Sequence, residues 1–405
     1  MGGASSHQND GLSSSKRVAD DVVTSHQPIT VVNTITTPAV SWLSADEARL
    51  AAELVDPTRM EALALCDTSG HGYDRRSFLM ALSIRGRNLE LIAWPLAGLV
   101  AWSVAWAVVL HVDGPVQLGK EPVMVALLDP IETLFTPLLT ALLTLLLVFR
   151  QGRAAVRFWD ARAAAGAMVL HCRNVAAEVF ALRPTDPAAR GEVARWLCAT
   201  PVAVKNLLRP LAMPDKDENT GPGDTRARAQ SESAAFQLAD RRLRELMPAL
   251  SSEQARSLLA APNQPLHAGA RLRSAIGRAC DRLPPAQRGL VHRGLHDELD
   301  HLNGAWGALE RIAASPLPFI YVAHLRLTLL LFLAVAPLPS LSHDGWPAVP
   351  PFAVACAAIL AVEAAAEECE RPFLKRPNHL RLGGFCASVA ENVAQALSDS
   401  VAAEH

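Results

Sequence analysis

The sequence is poor in charged and aromatic side chains. Only 19% of its 405 residues are Asp, Glu, Lys or Arg, and it contains 2 Tyr and 11 Phe. Its 38 basic and 40 acidic residues leave a net charge of -2. A chain without an excess of basic residues has little positive charge with which to neutralise a phosphate backbone. So few aromatic side chains also argue against a surface for stacking bases. We therefore expect no nucleic acid among its partners.

Cysteine pairs and catalytic motifs are also missing. The 7 cysteines are scattered and none form a CxxC pair, which argues against a zinc knuckle and a disulfide framework. Gly-rich phosphate loops and GxSxG elbows do not occur. His292 and His296 share a helix face, but no Glu follows His292 directly, as it would in an HExxH zinc site. A solvated helix face is the favoured interpretation, and we predict no enzyme activity, cofactor or metal site.

Long apolar runs are what the chain has in abundance. Four of them are long enough to cross about 30 Å of hydrocarbon at about 1.5 Å per residue, namely residues 89–112, 131–149, 325–341 and 346–366. The later two are shorter or richer in small residues, so a buried core helix is their alternative. Pro137 is expected to bend the second run. Arginines flank the paired runs on one side, which predicts cytoplasmic termini and a cytoplasmic central region.

These runs predict an all-α membrane protein with four transmembrane helices and a large cytosolic helical domain. The predicted parts are a disordered tail (1–45), a first transmembrane hairpin (72–155), a cytosolic helical region (156–310), a second hairpin (311–366) and a cytosolic C-terminal segment (367–405). Residues 213–233 break the helical pattern and predict a mobile loop. The N-terminus fits the N-myristoylation pattern with Gly2 as acceptor, and a plain solvated tail is the alternative.

Charged stripes border two of the apolar runs. Glu363, Glu367 and Glu370 close the fourth run at i, i+4 and i+7. After the second run, the basic positions at i, i+3 and i+7 are Arg150, Arg153 and Arg157. Charges at a membrane boundary are usually paired or functional. One interpretation is therefore an ion-pair scaffold between two helices, and the other is a charged vestibule wall that concentrates ions.

The second run carries an apolar stripe of its own. Ala141, Leu145 and Phe149 lie at i, i+4 and i+8, with Thr140 and Thr144 beside them. An apolar ring of this kind gates a pore by dewetting rather than by binding. The pattern alone favours ordinary core packing over a pore lining.

Three ordered blocks resemble the bestrophin family of ion channels, including its bacterial and plastid members. Residues 145–166, LLLVFRQGRAAVRFWDARAAAG, resemble the family's "LLxFRxNxxYxRWWExRxxWG". Residues 309–326, LERIAASPLPFIYVAHLR, resemble "ERIxxTPIPxxYxxHLR". Residues 362–382, VEAAAEECERPFLKRPNHLRL, resemble "IEEIAEEIEDPFGxDxNDLPL". The match runs from about residue 74 to about residue 392.

The resemblance implies a homopentamer with one axial pore in the lipid bilayer. It places a hydrophobic neck on the second membrane helix, at Ala141, Leu145 and Phe149. The predicted polar or charged pore-side residues are Thr144, Arg150, Arg153 and Arg157. Arginines near the neck exit favour anions, so the predicted function is passive transport of chloride or similar small anions. A cation-conducting homologue and a non-conducting membrane scaffold or accessory subunit are the alternatives, and a plastid, plasma or bacterial inner membrane stays open.

Some positions depart from the family pattern. Gly152 and Ala155 replace an Asn and a Tyr, and Ala141 is smaller than the usual neck residue, which predicts a wider neck at that level. The calcium-gated animal members carry acidic residues where residues 374–378 here read LKRPN. Calcium needs several oxygen ligands, mostly carboxylates. We therefore predict no calcium clasp.

Overall fold

The computed structural model describes residues 45–65, 89–111, 122–182, 186–209, 237–375 and 378–402. All of these belong to one of the two compact units of the chain, Trp42–His71 together with Ala81–His405. The regular secondary structure in these described ranges is helical, as the sequence predicts. Apart from Ala45, the predicted tail at 1–45 lies outside the described residues, as do Gly2 and the predicted loop at 213–233.

The helices follow one another with short connections where the described ranges are continuous. Residues 237–246 are also helical, a π-helical turn spans Ile131–Phe135, and a 3-10 turn spans Trp346–Ala348. The α-helices are α1 (Ala45–Leu54), α2 (Pro57–Leu65), α3 (Leu89–His111), α4 (Pro122–Pro130), α5 (Thr136–Ala181), α6 (Pro187–Leu208), α7 (Ser252–Ala260), α8 (Gln264–Cys280), α9 (Pro285–Ala314), α10 (Phe319–Val335), α11 (Pro337–Asp344), α12 (Val349–Glu370) and α13 (Leu382–Ala402).

Four helical segments are long and apolar enough to cross a membrane. They coincide with the four runs predicted from the sequence and extend beyond most of them: Ile92–Leu110, Ala126–Ala181, Phe319–Asp344 and Trp346–Glu370. In the second segment only 6% of the most apolar window is buried inside the subunit. Most of its apolar side chains therefore face something other than their own chain.

Helix α5 is much longer than a bilayer is thick. Its 46 residues extend about 69 Å at about 1.5 Å per residue, more than twice the hydrocarbon thickness of about 30 Å. The boundary predicted at 155–156 lies inside this unbroken helix, since the Ala- and Arg-rich sequence that follows Phe149 favours continued helix. One rigid element thus connects the membrane segment to the rest of the subunit.

The largest hydrophobic core lies in what we call the helical body: the second half of α5 with α6 to α9, α13, α1 and α2. Helix α8 packs on α6, α9 packs on α5, and α13 packs on both α5 and α6. Trp196 and Phe180 are among the largest buried side chains of this core. The start of α8 is capped: the Asn263 side chain accepts a hydrogen bond from the Leu266 N–H at 2.9 Å, which satisfies an orphan donor of that helix.

A smaller cluster holds the membrane helices together. It contains Leu99 of α3, Leu143 of α5, Leu333 of α10 and Cys356 of α12. The turn between α11 and the 3-10 helix depends on Gly345, whose φ of 67° lies in the region that side chains disfavour. Through this cluster the membrane helices contact one another on one side, and their other side is exposed on the surface of the subunit.

Candidate functional site

The apolar stripe of α5 lies on the outer surface of the subunit. Leu145 is 53% exposed and Phe149 is 58% exposed, and Ala141 is exposed as well. Leu143 and Ala154, on the other side of the helix, are buried against the chain's own helices. The stripe is therefore not packed in the subunit's own core, and its role as a neck stays a prediction.

The threonine hydroxyls beside the stripe are occupied along the helix. Thr144 donates to the Thr140 carbonyl oxygen at 2.7 Å, and Thr140 donates to the Thr136 carbonyl oxygen at 2.7 Å. A hydroxyl has one hydrogen to donate and two lone pairs that accept. Thr144 is exposed, but in this rotamer it presents oxygen lone pairs rather than a donor.

Arg150 lies on the opposite side of α5 from the stripe and is 1% exposed. Its Nη1 is 2.8 Å from Glu370 Oε2, and its Nε is 3.3 Å from Glu363 Oε2. Helical side chains rotate by about 100° per residue, so Arg150 points well away from Phe149. The two glutamates come from α12, and the arginine joins α5 to that helix.

Arg326 of α10 completes the ion pairs, and sequence reasoning did not select it as a site residue. Its Nε is 3.0 Å from Glu363 Oε1, and its Nη2 is 2.7 Å from Glu367 Oε2. Glu363 therefore binds two arginines from two different helices. An arginine inside an apolar run is itself a signal, because charge at membrane depth is usually paired or functional.

Arg157 binds backbone carbonyl groups at the ends of two helices. Its Nε donates to the Glu370 carbonyl at 2.8 Å, its Nη1 donates to the Ser315 carbonyl at 2.7 Å, and its Nη2 donates to the Ile312 carbonyl. The last carbonyl groups of a helix lack intrahelical partners, and cations are favoured there. Arg157 thus fixes α5 to the C-terminal ends of α9 and α12.

The three predicted arginines consequently occupy different environments. Arg150 and Arg157 face the interior of the subunit, whereas Arg153 is exposed, and none of the described carboxylates pairs with it. We call the set of Arg150, Arg157, Arg326, Glu363, Glu367 and Glu370 the charged junction. Its three cations and three anions cancel, so the junction joins helices and adds little net potential.

The described residues contain no group of three or more His, Cys, Asp or Glu side chains arranged to hold a metal ion. The charged junction also lacks the nucleophile and oriented base that a hydrolytic site requires. What the geometry offers is an exposed apolar stripe on a long helix, an exposed arginine one turn further on, and a neutral junction behind them.

Four apolar helices, one of which extends far beyond the bilayer, define a multi-pass integral membrane protein. The profile of the family described as Bacterial/Fungal Bestrophin protein matches residues 71–395. The chain belongs to this bestrophin family, whose members are channels and not enzymes. The predicted family, the absence of enzyme activity and the multi-pass membrane location are thereby confirmed.

Relatives described as anion channel-forming proteins resemble more than half of the chain. It is 26% identical over 253 residues to a voltage-dependent anion channel-forming protein of a Nostoc species, covering 62% of this chain and 73% of that protein. It is 27% identical over 259 residues to a protein of the same description from Mesorhizobium japonicum, covering 64% and 73%. A crystal structure of a mutant bacterial bestrophin homologue from Klebsiella pneumoniae matches with a TM-score of 0.57 and 21% identity, covering 75% of this chain and 98% of that one.

Proposed function

We propose that the protein is an anion channel, which passively conducts chloride or similar small anions through a pore lined by α5. The observation that carries the proposal is the exposed apolar stripe Ala141–Leu145–Phe149 with exposed Arg153 one turn beyond it. An apolar constriction excludes hydrated ions until it wets or widens. The relatives named as anion channel-forming proteins support the same conclusion.

Anion preference rests on Arg153 rather than on all three arginines. Carboxylates or backbone carbonyl groups hold Arg150 and Arg157. A paired, buried charge contributes little to the potential in a neighbouring aqueous space. Arg153 is the member of the predicted basic stripe whose side chain is exposed. We assign to it the local positive potential that concentrates anions near the neck exit.

A homopentamer with a cytosolic extension of the pore belongs to the same proposal. The exposed apolar side chains on α5 reach from Leu138 at 63% exposure to Leu170 at 50% exposure. An exposed apolar face of this length is unusual on a monomeric soluble protein, and it indicates contact with other molecules. Copies of this chain around one axis would cover it and would bring the neck stripes together.

The experiment that tests the function is recording from the purified protein in a planar bilayer under a chloride salt gradient. A reversal potential near the chloride equilibrium potential supports anion conduction. A value near the cation equilibrium potential would support ion conduction but contradict the proposed anion selectivity. Silence from well-folded oligomers would contradict conduction and favour the membrane scaffold.

The variant Arg153→Glu is expected to shift the reversal potential toward the cation equilibrium potential. The substitution reverses the sign of the exposed charge beside the neck, and a like charge repels the permeant anion. Anion permeability relative to cations should fall by about tenfold, equivalent to about 1.4 kcal/mol. The matched control is Arg256→Glu on α7, which makes the same charge change on an exposed residue of the helical body. An equal shift in both variants would contradict the assignment.

A further inference from the structure

Helix α9 carries an unusual concentration of histidine and acidic side chains that the proposed pore does not use. One group joins α9 to α5: His171 Nδ1 is 2.9 Å from Glu298 Oε2, and Asn174 Nδ2 donates to the same oxygen at 3.2 Å. The His171 ring stacks on His301, with 5.3 Å between the ring centroids. Glu178 of α5 also faces Glu298.

A second group joins α9 to α8. The Arg273 Nη1 donates to His296 Nδ1 at 3.0 Å, and Arg273 Nη2 pairs with Asp300. The His292 ring stacks on His296, with 4.1 Å between the ring centroids. Asp297 is the remaining charged group beside His296.

The two groups respond to acid in opposite directions. The hydrogen bond from Arg273 requires an unprotonated Nδ1 on His296, because a protonated nitrogen has no lone pair to accept it. Protonated His296 would also face the Arg273 guanidinium, a cation 3.0 Å from its Nδ1. By contrast, His171 donates to a carboxylate, and a positive charge on its ring turns that hydrogen bond into an ion pair.

The local pKa values agree with this geometry. Burial, then the neighbouring His292 and Arg273, hold the pKa of His296 below its ordinary value. Because the unfolded chain then binds this proton more readily, this contact contributes fully above about pH 6.5 and weakens as the pH falls below it. Burial raises the pKa of Glu298, but hydrogen bonds from His171 and Asn174 outweigh it, so the pKa lies below its ordinary value. Glu298 therefore remains a carboxylate below the pH at which an ordinary glutamate gains a proton.

We propose that α9 carries a proton-responsive switch, in which acidification weakens its contact with Arg273 of α8 and strengthens its contact with His171 of α5. Histidine is the side chain whose charge ordinarily changes between about pH 5 and about pH 8. The two groups lie within two turns of each other on α9. Protonation therefore weakens the packing of α9 against α8 and strengthens its packing against α5.

The switch reaches the proposed pore through α5. His171 and Phe149 belong to the same unbroken helix and are about 33 Å apart along it at about 1.5 Å per residue. Arg157 of α5 binds the carbonyl groups of Ile312 and Ser315 at the end of α9. Helix α9 is thus attached to α5 at both places, and a change in its packing acts on the helix that carries the apolar stripe. This consequence for current rests on the proposed function, whereas the change in packing does not.

The test measures two properties of the purified full-length protein in lipid membranes at about pH 8 and about pH 5.5, which bracket the ordinary titration of histidine. The first is hydrogen exchange of the α8 and α9 backbone, corrected for the intrinsic effect of pH. The second is ionic current in a planar bilayer. We expect acid to increase exchange in the α8 contact region and to change the current by about fivefold, the lower end of coupling between distant sites.

Two variants and one control assign the response. His296→Gln keeps an acceptor for Arg273 but takes no charge, so the acid-induced increase in exchange should disappear. His171→Gln should remove the acid-strengthened contact with Glu298 and reduce the change in current. The control His343→Gln removes a histidine on α11 that faces Glu132 at 3.6 Å, and its acid response should match the wild type.

The results separate the switch from the channel. Exchange that changes with pH in a protein that never conducts would support the switch and contradict the proposed function. Conduction together with exchange that is equal at both pH values would overturn the switch alone. The switch would also be overturned if both variants kept the full acid response or if His343→Gln abolished it.

Discussion

The variant Arg150→Met is expected to lower the free energy of unfolding by about 3–5 kcal/mol, because removing one partner of a buried ion pair leaves an uncompensated charge. Arg150 is 1% exposed, and its two carboxylate partners lie on α12. Arg326 still reaches Glu363 in the variant, so Glu370 is the carboxylate that loses its closest cation. Thermal unfolding in detergent should show a melting temperature lower by about 5 °C for a chain of this size.

Two further variants distinguish the effect of losing the Arg150–Glu370 ion pair from the effect of losing an arginine side chain. Arg153→Met makes the same chemical change on an exposed residue three positions further on, and its effect should stay within about 0.5 kcal/mol. The double variant Arg150→Met with Glu370→Gln should regain part of the lost stability, since neutralising the orphaned carboxylate removes its desolvation cost. Equal melting of wild type and Arg150→Met would show that the charged junction does not hold α5 to α12.

The length of each apolar run was enough to predict the membrane helices from the sequence. Whether a helix can cross a membrane depends on the composition of about 20 consecutive residues and not on distant parts of the chain. The first run predicted at 89–112 corresponds to α3, Leu89–His111, and the last one at 346–366 falls within Trp346–Glu370. A helix in hydrocarbon satisfies its backbone hydrogen bonds internally, so composition over about 20 residues decides the outcome. The domain boundary predicted at 155–156 concerns position along the membrane normal rather than a helix end, because no local breaker separates residues 155 and 156 and α5 continues through them.

The directions of the charged side chains could not be predicted in the same way. The spacing of Arg150, Arg153 and Arg157 placed them in one sector of the helix, but their partners are distant in sequence. Arg150 reaches Glu363 across 213 positions, and Arg157 reaches Ile312 across 155. The rotation of about 100° per residue would have shown that Arg150 does not follow Phe149 around the helix. Which carboxylates and carbonyl groups receive the arginines depends on tertiary packing.

The variants Leu145→Ala and Phe149→Ala are expected to increase ionic current, and Phe149→Ala should have the larger effect because it removes a ring. Both side chains are exposed on the proposed pore face of α5. A wider and less apolar neck is easier to wet, which lowers the barrier to a hydrated ion. A lowering of about 1.4 kcal/mol corresponds to a tenfold faster passage. Single-channel current in symmetric salt measures the effect directly.

The neck also predicts a change in the opposite direction. Ala141 is the smallest member of the stripe, so Ala141→Phe should narrow the pore at its level and reduce the current. The matched control is Leu327→Ala on α10, a Leu-to-Ala change on a residue that is 65% exposed but does not belong to the stripe. Its conductance should equal that of the wild type, because a side chain away from the pore changes no barrier. Larger currents from Leu327→Ala than from Leu145→Ala would place the constriction elsewhere, whereas opposite effects at positions 141 and 149 are the outcome expected if one face of α5 lines the conducting path.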